Sequence, residues 1–266
     1  MQLINRVTPI IRNKTHLRIT VHFNLLVALF IQIFFMFGDI VPESIAQVVE
    51  EKPGSHEKNN TSAPGMLKTS PNRDEIELIS SYAEDVFDLA KAGKWKRASK
   101  KLIVLEKTER NLTANANLLG ADSLSALAKS TSDLERAVTA RSRLDAMLAA
   151  NKITAIAALI AKPFKQSVPT NVVLLDYYGR ELEIWSEMKN ANKLADIVNK
   201  MHLTWQHLMP TLIAEGGSKE IKKFGEIMKH LEAAKTPEEY GRLAASVLDE
   251  VDNLEKVFTQ GPSKTE

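Results

Sequence analysis

The amino-acid sequence predicts an all-α fold, a multi-helix bundle of antiparallel helical hairpins. Three observations carry that expectation. Apolar residues recur at intervals of three and four over residues 72–258, which is the period of a helix with one buried face. No run of alternating β-branched residues offers a competing strand. Gly93, Pro163, Pro169, the Gly216-Gly217 pair and Pro237 punctuate the periodic stretches at helix-like intervals.

The first helix is expected to open at Asn72, with Glu75 in capping-box spacing, and to bury Ile76, Ile79, Ala83, Val86 and Ala90 until Gly93 ends it. Trp95, Ala98, Leu102 and Leu105 stripe the second, which should fold back after a very short turn. Gly93, Trp95 and Ala98 resemble the turn of a tetratricopeptide hairpin. The resemblance covers that hairpin alone, because no 34-residue period extends it. Residues 121–162 hold neither Gly nor Pro. With Leu124, Leu127, Leu134, Val138 and Leu148 they predict one long helix, or two with a break near Asn151, a residue suited to a cap and poor inside a helix.

The second half repeats the theme. Leu175, Tyr178, Leu182 and Trp185 mark one helix; Leu194, Ile197, Met201, Trp205 and Leu208 mark the next, which Pro210 should kink or end. Ile221, Phe224, Met228 and Leu231 follow the Gly216-Gly217 turn. The last helix starts at Thr236-Pro237-Glu238-Glu239, with cap, first-turn proline and third-position Glu in order, and is striped by Tyr240, Ala244, Val247, Val251, Leu254 and Phe258. Gly93-Lys94-Trp95 aligns with Asn192-Lys193-Leu194, and Arg143-Leu144 with Arg242-Leu243, which raises the expectation of two similar halves.

Residues 1–46 read as a signal peptide or an uncleaved membrane anchor. Arg6, Arg12, Lys14 and Arg18 precede an apolar run at 19–37, interrupted by His22, Asn24 and Gln32, and acidic residues follow it. That order keeps the N-terminus in the cytoplasm and sends the remainder across. Ser44 and Ala46, behind Pro42, suit a signal peptidase, so cleavage is expected after Ala46; the length of the apolar run supports a retained single span as the alternative. Residues 47–72 are polar and predict a flexible linker, residues 73–259 form the helical domain, and residues 260–266 a disordered tail. The expected location is therefore the periplasm, or the inner membrane with the domain outside the cytoplasm.

Composition narrows the function classes. Cysteine is absent, which removes disulfides, thiolate metal sites, thiol nucleophiles and covalent c-type haem. The export segment carries four of the 35 Lys and Arg residues and two of the 33 Asp and Glu residues, so the formal charge of +2 belongs to it and the remainder is neutral. Without a net positive field or a clustered basic stripe there is little to attract phosphates, and nucleic acid is not an expected partner. No nucleophile elbow, Walker loop, dinucleotide fingerprint or zinc-protease motif occurs, so no catalytic residue and no cofactor is predicted.

The densest polar and aromatic stretch is residues 176–185. Asp176, Arg180, Glu183 and Glu187 share one helix face, which predicts a solvated ion-pair ladder. Gly179 costs about 1 kcal/mol in a helix interior relative to Ala, so something must come close to it: a neighbouring helix, or a ligand meeting Asp176, Tyr177, Tyr178, Arg180 and Trp185. Those five are the candidate binding residues. The alternative metal pair is Glu226 and His230, at i, i+4 spacing. His202 and His207 diverge by about 140° on a helix and cannot chelate together, while Met188, Met201, Met209 and Met228 suit copper(I) in principle but core filling by default. The function expected is an exported, non-enzymatic binding or protein-interaction role with an envelope protein partner, and membrane contact only through an uncleaved N-terminal segment. A copper, iron or haem carrier of the same fold stands as the alternative, and a hydrolase of envelope polymer as the third reading.

Overall fold

The computed structural model describes residues 71–114, 119–164 and 166–260. The export segment, the linker up to residue 70 and the tail beyond residue 260 lie outside them. Among the described residues the fold is an all-α multi-helix bundle of eight helices: α1 (Pro71–Lys91), α2 (Trp95–Ala114), α3 (Ala121–Ala140), α4 (Arg143–Ala161), α5 (Thr170–Glu187), α6 (Ala191–Ala214), α7 (Ser218–Ala233) and α8 (Pro237–Gln260).

Packing follows the apolar stripes. Helix α1 lies against α2 and α4, and α3 lies against the same two; α5 lies against α6 and α8, and α7 likewise touches both of those. Helix α4 meets α5. One core contains Ile79, Val86, Leu105, Leu134, Met147 and Ile153, and a second contains Leu175, Leu182, Leu194, Phe224, Val247 and Leu254. Ile184 of α5 belongs to the first core and Ala155 of α4 to the second, so the two cores exchange residues across the α4–α5 contact.

Four turns share one hydrogen-bond pattern. Gly93, Arg141, Lys189 and Gly216 adopt left-handed backbone at φ 66°, 53°, 54° and 79°. At the first, the Gly93 N–H donates to the Ala90 carbonyl (2.9 Å) and the Lys94 N–H to the Leu89 carbonyl (2.8 Å); the bonds from Ser142 to Ala137, Asn190 to Trp185 and Gly217 to Leu212 repeat the longer link. This closes a helix by satisfying its last carbonyls. The residue after each left-handed one then starts the next helix, as when the Ala98 N–H donates to the Lys94 carbonyl and the Leu194 N–H to the Asn190 carbonyl. Gly93, Arg141 and Lys189 are equally spaced along the chain. The sequence alignment of Gly93 with Asn192 does not coincide with this geometry, since Asn192 lies inside α6 and Lys189 is the left-handed residue.

Several sequence expectations are corrected. Helix α1 begins at Pro71 rather than at a cap on Asn72. The break in residues 121–162 falls at Arg141 and Ser142, not near Asn151. Asn151 is fully buried in mid-α4, where its side chain finds partners on α5, so the cap preference of Asn yields to a tertiary hydrogen bond. Helix α6 runs through Pro210 to Ala214; the proline is exposed. The capping box of α8 forms as predicted: the Glu239 N–H donates to Thr236 Oγ1 (3.3 Å), and the Thr236 N–H to Glu239 Oε2 (3.1 Å).

Helix α4 is long and apolar enough to cross a membrane, with a mean hydropathy of 1.5, yet 61% of that stretch is buried inside the protein. Its neighbours α1, α3 and α5 cover it. A helix apolar all round is what a central position requires.

Candidate functional site

Helical geometry splits the five candidate residues. At 100° per residue Asp176 and Arg180 lie on one flank of α5, while Tyr177 and Trp185 lie with Glu181 on the other. Tyr178 points into the second core, near Thr204 of α6, whose side chain hydrogen-bonds its hydroxyl. The five do not converge on one ligand position.

On the first flank, Arg180 Nε donates to Asp176 Oδ2 at 2.8 Å, and the guanidinium lies over the ring of Phe87 on α1, 5.0 Å from its centroid. Carboxylates crowd this arginine: Glu84 and Asp88 come from α1, Asp252 and Glu255 from α8. Burial pushes the carboxyls of Glu84 and Asp176 above their ordinary range, with Arg180 opposing it. Glu255 is raised by burial and then by Asp176, Asp252 and Glu84. Arg180 Nη1 is buried without a hydrogen-bond partner.

Of the expected ladder, the Asp176–Arg180 rung forms within α5, and the other two carboxylates link helices instead. Glu183 takes Lys91 of α1 at 2.6 Å, and Glu187 takes Arg143 of α4. Gly179 is explained by the helix crossing: a Cβ there would stand 2.7 Å from Leu248 Cδ2 and 3.0 Å from Val247 Cγ1 of α8. Gly241 of α8 admits Ser186 of α5 in the same way, at 2.7 Å from Oγ. The flank thus joins α1, α5 and α8.

The second flank is drier. Glu181 is 8% exposed; its Oε2 accepts the Trp185 Nε1–H at 2.5 Å and its Oε1 accepts Asn151 Nδ2 at 3.3 Å. Asn151 Nδ2 also donates to the Tyr177 carbonyl at 3.0 Å, tying α4 to α5. Burial raises the Glu181 carboxyl against these two hydrogen bonds, and burial pushes the Tyr177 hydroxyl far above its ordinary value. Lys193 of α6 stands over the Trp185 ring at 5.9 Å. Sequence reasoning missed Asn151 and Glu181 as partners. The available signal was Asn151 itself, a lone amide inside the most apolar helix, which needs a buried partner.

The alternative metal residues do not assemble. Glu226 is exposed and pairs with Lys229 at 2.8 Å; His230 is exposed on the same helix. No group of three or more His, Asp or Glu side chains is arranged to hold a metal among the described residues. Met201 and Met228 are core residues, and His202 Nδ1 lies 2.6 Å from Glu232 Oε1. An open groove of about 340 Å³ between α2 and α3 is lined by Glu106, Glu109, Arg110, Thr131, Ser132 and Glu135.

These two flanks consume the candidate residues in internal contacts, so the chemistry they can perform is mainly that of holding helices together. No protein-family model, curated protein or solved structure matches this chain.

Proposed function

We propose that this chain is an exported protein whose helical domain works outside the cytoplasm, released after Ala46 or held by residues 19–37, and that it acts by binding an envelope protein partner. The charge order around the apolar run supports the export reading. The observation that carries the binding reading is the outer face of α6. Leu203 and Ile213 are 44% and 64% exposed, and Gln206, His207 and Pro210, all exposed, fall between them at helical spacing. Covering a large aliphatic side chain gives up to about 1.5 to 3 kcal/mol, which suits this strip to a partner's apolar surface. We also read α1–α4 and α5–α8 as copies of one four-helix unit.

A photo-reactive side chain placed at position 203 or 213 of the full chain in its native cell should give one discrete adduct. Leu203→Asp with Ile213→Asp should abolish partner capture while the melting temperature holds. Adducts equal to those from an exposed control position, Lys229, sink the reading. A rise in melting temperature on adding copper, iron or haem would favour the carrier instead.

A further inference from the structure

The outer face of α2 corrects the expectation that the chain has no clustered basic stripe: its cations are scattered in sequence and assembled by the helical period. At 100° per residue, Lys96, Lys100, Ile103, Lys107 and Arg110 form one line along the helix, with Arg97 and Val104 on one side of it and Glu106 on the other, where Arg110 borders a groove with Glu106, Glu109 and Glu135. The seven cationic and aliphatic residues are all exposed; Ile103 is 62% and Val104 40% exposed, in the middle of the cations. The neighbouring Lys101 is engaged with Asp85 of α1 at 2.5 Å. Lys96, Arg97, Lys100 and Lys107 make no ion pair among the described residues. The opposite side of α2 is the core stripe of Ala98, Leu102, Leu105, Thr108 and Leu112, so the outer face is not needed for folding.

We propose that this face docks on the surface of a bilayer containing anionic phospholipid. The cations match headgroup phosphates, and the two aliphatics enter the boundary below them, the arrangement of an interfacial helix. The charge of the face favours this occupant: cations around two aliphatics complement an anionic headgroup layer over hydrocarbon, whereas Leu203, Gln206, Pro210 and Ile213 on α6 are uncharged. The face carries no exposed aromatic side chain for stacking on nucleic-acid bases. The chain also brings its own route to a membrane, because residues 19–37 are an apolar run long enough to enter a bilayer if they are retained, as in the proposed function. A tethered domain therefore samples the bilayer at high effective concentration, and a released one docks by the same face. The α6 strip of the preceding section is not involved, so either reading can fail alone.

Because the chain is cysteine-free, a Ser99→Cys label beside Ile103 is a unique reporter at the rim of the face, with Ser246→Cys on α8 as control. The full chain is reconstituted in nanodiscs of phosphatidylcholine alone or with 30% phosphatidylglycerol, with lipid-borne quenchers. The label at position 99 should be quenched in anionic discs, recover in 1 M salt, and stay bright in neutral discs. Reversal of Lys96, Arg97, Lys100 and Lys107 to Glu should weaken docking more than a hundredfold, at roughly fivefold per cation, with an unchanged circular dichroism melt. Ile103→Ser with Val104→Ser should weaken it with the charges intact. Equal quenching in both compositions, or equal quenching at position 246, overturns the proposal. So does protection of position 99 that appears only when cell proteins are added, which would assign the face to an acidic protein.

Discussion

The two flanks of α5 carry similar kinds of residue and reach opposite outcomes. Around Arg180 charges outnumber partners: one guanidinium faces carboxylates from three helices, and several carboxyls are raised. Around Glu181 there is one carboxyl with two donors, enclosed by Asn151, Trp185 and Tyr177. The difference lies in access to water. At the rim of the Arg180 cluster, exposed Asp88 and Asp252 keep their water, and its more buried carboxyls answer by a raised proton affinity, whereas the sealed Glu181 must be hydrogen-bonded. Adjacent residues on one helix thus serve either as a charged joint between α1, α5 and α8 or as a polar tie between α4 and α5.

Breaking the crossing that supports both flanks should have the largest effect. Gly179→Val forces Leu248 and Val247 aside and should cost about 3 kcal/mol, read as a fall in denaturant midpoint with an unchanged slope. Next comes the tie. Asn151→Leu keeps the volume but leaves the Tyr177 carbonyl and Glu181 Oε1 short of a donor, which should cost about 2 kcal/mol. Asn151→Asp should be worse at neutral pH than at pH 5.

The charged flank should respond less and depend on pH. Arg180→Met should cost about 1 kcal/mol near neutrality, a modest value because the already raised carboxyls around it can take up a proton once the guanidinium is gone. The loss should shrink as Glu84, Asp176 and Glu255 take up protons. Their folded-state values are raised, as is that of Glu181, so the folded chain holds protons that the unfolded chain releases. Stability from these groups is greatest at acid pH and is lost as pH rises through their folded values. The melting temperature should therefore climb as pH falls from neutrality through the raised range of these carboxyls. Glu226 and Glu239, whose values are lowered, act in the opposite direction and lose their contribution further down. The smallest change is expected for Glu181→Gln, which keeps an acceptor for Trp185. Its mark should be a flatter pH dependence of the melting temperature, and an unchanged profile would exclude Glu181 as a contributor.

The stripes of α1, α2, α7 and α8 were legible because a helix with one wet face must space its apolar residues at three and four. The cap of α8 was legible because Thr236, Pro237 and Glu239 act on backbone within one turn. The same local logic failed in α4. That helix is covered by neighbours, so periodicity vanishes and the cap preference of Asn151 no longer marks an end. It failed again at Arg141 and Lys189, where left-handed turns carry no glycine to announce them. The candidate stretch at 176–185 was found by composition. Its division into two flanks follows from helical period, but the partners on α1, α4 and α8 do not.

What the sequence by itself determined is the helical class, most helix positions and the identity of the buried stripes, because each depends on contacts within a few residues. The tertiary structure alone decided that Arg180 sits amid acids from α1 and α8, that Glu181 is sealed by Asn151, and that Gly179 is filled by α8. It also left Lys96, Arg97, Lys100 and Lys107 without an ion pair among the described residues around Ile103. Such properties arise where helices distant in sequence meet or fail to meet, and pairing across that distance is set by packing, not by any local preference of the chain.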